Sequence, residues 1–468
     1  MTGRDQNPYL HGSLNRVFAR TAAPIVLFMT ANGLYAVVDA LLLGRLAGPK
    51  ALTAVTLMFP ITTLIVALQT MISSGMASLV ARRIGAGDIR AAEGTVTAAN
   101  LLALTVAGLL IVALALAGGS LAEALSNGDA ELARMGLTFV SIIVICSPLS
   151  FLLSIQGNAL RSEGRVGATA TISVAMTALN IALSSLLIGW FGLGVAGSAT
   201  GTALAQAAAI ATVAVFRLSG RARLPLYARG SGSILANWKD ILVLGAPASL
   251  GLLGFSLSSA LIIADIQMWS VADPSATVAA YGVITRLMTF AFLPLLGITM
   301  AGQSIVGNNF GAGLRQRVRT TLKIAFCVAV VYAAIFEGAF IFMARPLGAL
   351  FVNAPMVVAE IERVMPLISL TYVLSAPLMI LAGYYQALGM AGSAAILNLA
   401  RTYFIGLPLL ALLPMAAGEI GIWIAYPIGD VVMLAVVAAL LAWNVRRHHL
   451  VWGIFHGRTA PNPAEQIP

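Results

Sequence analysis

The chain has 468 residues, 59% hydrophobic and only 9% charged, with a net charge of +10 and a mean hydropathy of +0.94. A soluble domain carries about 25% charged residues, so this composition excludes a soluble globular enzyme and points to a chain dissolved in lipid. The positive excess then reads as the Lys and Arg that gather in cytoplasmic loops of membrane proteins, and not as a nucleic-acid surface.

The N-terminus is polar through about Asn15 and shows no evident signal peptide. Apolar runs bounded by Gly, Pro and charge predict twelve membrane helices. In the first half they cover 16–44, 51–80, 93–117, 133–157, 166–190 and 194–217. In the second they cover 240–269, 277–306, 318–344, 357–384, 393–415 and 418–446. The two cysteines, Cys146 and Cys327, both lie inside apolar runs and form no CxxC. The four histidines, His11, His448, His449 and His456, all sit in the tails, so no metal site is expected.

Twenty of the 27 Lys and Arg residues fall on one side of this arrangement, in the N-terminus, the loops after spans two, four, six and eight, and the C-terminus. Five lie on the other side: Arg45, Lys50, Arg134, Arg345 and Arg363. The charge rule puts both termini in the cytoplasm, as an even number of spans requires. A cytoplasmic (inner) membrane is the expected location.

The second half repeats the first. Arg83-Ile-Gly-Ala-Gly87 precedes Asn309-Phe-Gly-Ala-Gly313 by 226 residues, and Pro24 and Pro247 each open their half. Six spans per copy give both copies the same orientation. The expected fold is therefore all-α: a polytopic membrane protein of twelve transmembrane helices in two pseudo-two-fold related six-helix lobes, a transporter architecture. The N-lobe is expected over 16–217, a basic inter-lobe linker over 218–239, the C-lobe over 240–446 and a tail over 447–468.

Six charged residues lie in or near the apolar runs: Asp39, Asp265, Arg286, Glu337, Arg401 and Asp430. Each costs roughly 2.5–3.5 kcal/mol to insert at mid-membrane, so each needs a partner or a function. Arg401 and Asp430, opposite in sign on the last two spans, read as a structural ion pair. Asp265 and Arg286 are candidates to pair across spans seven and eight. Glu337 reads as a second titrating group or a snorkelling one.

Asp39 has no embedded cation in its half. Asn32, Tyr35 and Asp39 share one helix face at i, i+3, i+7. Asn180 and Ser184 on span five and Thr202 on span six fall at similar depth. A carboxylate among neutral hydrogen-bonding groups suits proton or cation coupling, against a buried structural Asp as the plain alternative. Pro24, four turns away, is either a static kink or a hinge. Gly192-Leu-Gly-Val-Ala-Gly197 formally matches GxGxxG, but it joins two membrane helices and lacks the strand a dinucleotide site needs. Gly197 and Gly201 read instead as a GxxxG packing motif. No enzyme constellation, P-loop or ATPase motif is present.

Taken together, these motifs resemble the MATE (multidrug and toxic compound extrusion) transporters, over roughly residues 18–445. They are Pro24 with Tyr35-Ala-Val-Val-Asp39, Arg83-Ile-Gly-Ala-Gly87, Asn158-Ala-Leu-Arg-Ser-Glu-Gly164, and Asn180-Ile-Ala-Leu-Ser184 followed by Gly192 to Thr202. In the second half Gly307-Asn-Asn-Phe-Gly-Ala-Gly313 and Gly421 to Asp430 join them, closest to the DinF-like bacterial branch. The resemblance implies a monomeric antiporter with no cofactor. It would expel small organic, often cationic compounds against protons or Na⁺, in contact with membrane lipids and without nucleic acid. In that branch, protonation of the first-helix Asp is thought to bend the helix at its proline; Asp39, Pro24, Tyr35, Asn32, Asn180 and Thr202 match. Ser184 stands where the branch often keeps a second acid. Phe255-Ser256 stand where NorM-like relatives carry an acid in span seven, and span ten has none. The first departure leaves the coupling site one obvious carboxylate; the second weakens a C-lobe sodium site and favours proton coupling through Asp39. The alternative function is a lipid-linked precursor flippase of the same broad superfamily. Such a protein needs a strongly cationic cavity or extra spans, and only Arg286 and Arg401 are embedded here.

Overall fold

The computed structural model describes residues 7–126, 129–224, 234–269, 274–352 and 354–448. Within them, the side chains of 34–41 are not described, so Tyr35 and Asp39 lie outside the described residues except for their helical backbone. So do 225–233 of the expected linker and nearly all of the expected tail.

The described elements are all helical. In chain order they are α1 (Leu14–Leu42), a π-helical stretch (Leu43–Ala47), α2 (Pro49–Leu57), α3 (Phe59–Ala86), α4 (Ile89–Leu125), α5 (Ala130–Ile145), α6 (Ser147–Ser162), α7 (Val166–Gly189) and α8 (Gly194–Leu218). There follow α9 (Ile234–Trp269), α10 (Pro274–Gly311), α11 (Arg315–Phe342), α12 (Ala344–Ala349), α13 (Pro355–Ser369), α14 (Tyr372–Leu388), α15 (Ala391–Leu399), a π-helical stretch (Ala400–Gly406), α16 (Leu407–Ala417) and α17 (Glu419–His448). Among the described residues nine spans are long and apolar enough to cross a membrane, and two bent pairs bring the number to eleven. The 29-residue α1 is long enough to be the twelfth.

Two compact units divide the chain, Met1–Leu253 and Gly254–Pro468. In each the fourth span is broken. α5 and α6 meet at 47°, and α13 and α14 at 46°. The sequence reading had single helices over 133–157 and 357–384. Pro148, in the first turn of α6, lacks the N–H that would continue α5 through Cys146. The reading of span two also shifts: the apolar run from 51 is cut at Met58, where Phe59-Pro60 opens α3, and α3 runs on to Ala86.

The repeated Gly-Ala-Gly motif has one job in both copies. Gly87 ends α3 at φ 87° and Gly313 follows α10 at φ 75°, left-handed positions where a side chain is strained. The arginines beside them tie down the following turns. Arg83 Nη1 donates to the Ala91 carbonyl (3.0 Å) and to Asn237 Oδ1 (2.9 Å), and Arg317 Nε donates to Asn309 Oδ1 (2.9 Å).

In the first unit α7 packs along α8 and along α1. The α7–α8 contact is close because it is built on glycine. A Cβ on Gly197 would sit 3.0 Å from the Ile188 nitrogen, and one on Gly201 would sit 2.7 Å from Ser184 Oγ and 2.9 Å from the Ser184 nitrogen. This is the geometry expected of Gly197 and Gly201 as a packing motif. Gly201→Leu is accordingly expected to push the two helices apart at a cost of about 1–3 kcal/mol. Thermal unfolding of the purified variant in detergent checks this, and an unchanged midpoint would show that the contact is not tight. The GxGxxG run, Gly192 to Gly197, covers the end of the α7–α8 connection and the first turn of α8, and no strand precedes it among the described residues.

Candidate functional site

The buried face of α7 is unusual for a membrane helix. Its buried residues are Val166, Thr177, Asn180, Ser184 and Ile188, so three of five carry polar side chains. Thr177, Asn180 and Ser184 follow i, i+3, i+7 and share one face. Asn180 Nδ2 donates to Thr202 Oγ1 on α8 at 2.9 Å, and Thr202 Oγ1 donates to the Ser198 carbonyl at 3.0 Å. Asn180 Oδ1, Ser184 Oγ and Thr177 Oγ1 are buried and have no hydrogen-bond partner among the described residues. In a bilayer nothing outside the protein supplies one. Three orphaned groups on one face, beside a helix that carries a carboxylate, make a place that can take a proton, a cation or water.

The helix register places Asp39 at the level of these groups. Counting from the helix ends opposite the Arg-rich face, Asp39 lies eight residues before Ala47, Asn180 nine before Gly189 and Thr202 eight after Gly194. At 1.5 Å per residue all three sit roughly 12–14 Å in. Asn32 is half-buried on the same helix, seven residues before Asp39. Pro24 lies inside α1, which runs unbroken through it. Thr177 escaped the sequence reading. The signal was its spacing to Asn180 and Ser184, masked because Thr is common in apolar helices.

The second unit holds its charges differently. Arg401 lies in the π-helical stretch Ala400–Gly406 and reaches Asp430 on α17, with Nε and Nη2 each 2.8 Å from Asp430 Oδ1. Thr371, at the break between α13 and α14, donates to Asp430 Oδ2 at 3.3 Å. Glu337 on α11 reaches the same break, where its Oε2 accepts the Val373 N–H at 2.6 Å. A helix start leaves its first N–H groups without intrahelical acceptors. Inside a membrane those must be met by protein, so Glu337 caps α14 from a neighbouring helix. That is a third role, beside titrating and snorkelling. Asp265 and Arg286 do not pair: Asp265 is buried with Oδ2 unpartnered, while Arg286 is exposed and forms no ion pair among the described residues. Opposite charge on adjacent spans did not bring them together: Asp265 lies four residues before the end of α9, and Arg286 twelve residues after the start of α10.

The profile of one transporter family, MatE, matches this sequence twice, over residues 24–186 and 247–412. The chain belongs to the MatE family. The two matches begin at Pro24 and Pro247 and so recover the internal repeat. Curated MatE relatives align along nearly the whole chain. A FAD transporter of Shewanella oneidensis is 27% identical over 92% of this chain and 95% of its own length. The probable multidrug resistance protein YoeA of Bacillus subtilis is 23% identical over 88% and 90%. Solved structures share the fold. A MOP superfamily transporter from Pyrococcus furiosus superposes with a TM-score of 0.85 at 23% identity, covering 94% of this chain and 98% of its own. An outward-facing multidrug resistance MATE family transporter gives 0.84 at 23% identity, covering 92% and 96%. This MatE protein is thus a multi-pass membrane transporter and not an enzyme.

Proposed function

We infer that this MatE protein is a secondary antiporter that expels small organic compounds, often cationic, in exchange for protons. Asp39 takes up the proton, and α1 bends at Pro24 in response. It acts as a monomer in a bacterial inner membrane with both termini in the cytoplasm. The observation that carries the reading is the polar buried face of α7, where Thr177, Asn180 and Ser184 leave oxygens unanswered. Those groups stand at the depth of Asp39, and burial and hydrogen bonding together set when such a carboxylate ionises. With Ser184 in place of a second acid, one titrating group carries the coupling. In the second unit Asp430 is paired with Arg401 and Glu337 caps α14, so neither is a free acid for a cation site, and Asp265 is the acid there that keeps an unpartnered oxygen among the described residues.

The test is efflux of an organic cation dye from proteoliposomes under separately imposed proton and sodium gradients. A proton gradient alone is expected to drive export; export driven by sodium alone would overturn the proton assignment. The FAD transporter match makes an anionic flavin dinucleotide a second substrate class. FAD export in the same vesicles, with no movement of organic cations, would replace the first reading of the substrate while leaving the coupling intact.

A further inference from the structure

The end of α8 holds a cluster of arginines that the transport reading does not use. Glu163, just after α6, is buried and spends both carboxylate oxygens locally. Oε1 accepts Arg217 Nη1 at 2.9 Å, and Oε2 accepts the backbone N–H groups of Arg223 (2.7 Å) and Leu224 (3.3 Å). Arg217 Nη1 also donates to the Leu224 carbonyl at 2.7 Å. The side chains of Arg217 and Glu163 are both 0% exposed. Glu163 thereby folds the chain after α8 back over the loop that follows α6.

This leaves too many donors. Arg217 Nε and Nη2 and Arg223 Nη1 and Nη2 are buried without hydrogen-bond partners among the described residues. Arg165 is close enough to Arg223 that its charge, after desolvation, helps push the Arg223 pKa down. Three arginines against one glutamate leave a local charge of +2 (3 − 1). Nearby Arg161 donates through Nη2 to Asn158 (2.6 Å), while its Nε and Nη1 are likewise buried and unanswered. Buried guanidinium N–H groups are costly when unmatched. The chemical group that matches several of them at once is a tetrahedral oxyanion, which guanidinium forks bind bidentately.

We propose that Arg217 and Arg223, with Arg165 beside them, form a binding site for a phosphoryl group on the Arg-rich side of the membrane. The phosphoryl comes either from a phospholipid headgroup, since the site lies at the end of the membrane-length helix α8, or from a soluble phosphate compound. The site lies apart from the polar face of α7, so its failure leaves the antiport reading untouched.

Arg223→Gln is the informative variant, because Arg223 meets Glu163 through its backbone N–H and that bond survives the substitution. Inorganic phosphate, titrated against chloride at equal ionic strength, is expected to raise the thermal midpoint of the detergent-purified protein. Arg223→Gln should weaken the apparent affinity about tenfold or more, the loss of a charge-assisted contact. In nanodiscs of phosphatidylcholine with and without phosphatidylglycerol, the same comparison reads the lipid source. A phosphorus assay of the purified proteins detects phospholipid carried through purification. Stabilisation by phosphate alone assigns a soluble phosphate compound. Stabilisation by phosphatidylglycerol, or bound phosphorus lost in Arg223→Gln, assigns a headgroup. No response and no bound phosphorus in the wild type, or equal behaviour of the variant, would overturn the site and leave water as the partner of these donors.

Discussion

Replacing Arg401 with Met is expected to lower stability by about 3 kcal/mol, among the largest losses available from one side chain in this protein. The substitution removes the partner of Asp430, whose side chain is only 7% exposed, and leaves a carboxylate in the membrane with Thr371 as its remaining donor. Breaking a buried pair by removing one member typically costs about 3–5 kcal/mol; the lower end applies because the Arg401 side chain is 30% exposed. The double variant Arg401→Met, Asp430→Leu removes both charges and is expected to recover most of the loss, since a buried pair contributes little beyond an apolar replacement. Thermal or denaturant unfolding of the three proteins in one detergent makes the comparison. A single variant as stable as the wild type would show that the pair holds nothing, and a double variant as weak as the single would show that Asp430 is not the reason.

Asp39→Asn is expected to abolish concentrative export while leaving expression and unfolding close to wild type. One proton entering down about 100 mV contributes roughly 2.3 kcal/mol, and one pH unit adds about 1.4 kcal/mol. The sum of about 3.7 kcal/mol sustains a neutral-substrate gradient of several hundredfold. An amide keeps the size of the carboxyl group and, like its protonated form, one acceptor and a donor, but it carries no proton through the cycle. The variant should therefore equilibrate substrate without accumulating it on one side. Initial uptake and steady-state distribution in inside-out vesicles separate the two, and a steady-state gradient as large as in the wild type would remove Asp39 from the coupling step.

Much of this fold was legible because membrane helices obey few rules. Apolar length gave the spans, and Gly87 and Gly313 marked matching helix ends in the two copies. Of the site, the meeting of Asn180 with Thr202 followed from depth alone, and Arg401 with Asp430 from charge. The misses share a physical cause. The breaks at Cys146 and at Ser369–Thr371 and the π-helical stretch at Ala400–Gly406 are backbone events inside continuous apolar runs. Hydropathy cannot register them, and only Pro148 hinted at the first. Glu337 was conspicuous as a charge, but its acceptor role depends on where α14 begins, which no local pattern states. Asp265 and Arg286 failed to pair because opposite sign on adjacent spans fixes neither their depth nor which way two helices turn.

Substrate export and proton entry are expected to be one event that runs through Asp39. The direct measurement is of proton movement itself, with a pH-sensitive dye inside proteoliposomes while an outward substrate gradient is imposed without any pH or sodium gradient. The wild type is expected to move protons opposite to the substrate, and Asp39→Asn to move none. Substrate leaving the wild-type vesicles with no proton movement, or proton movement undiminished in Asp39→Asn, would contradict it.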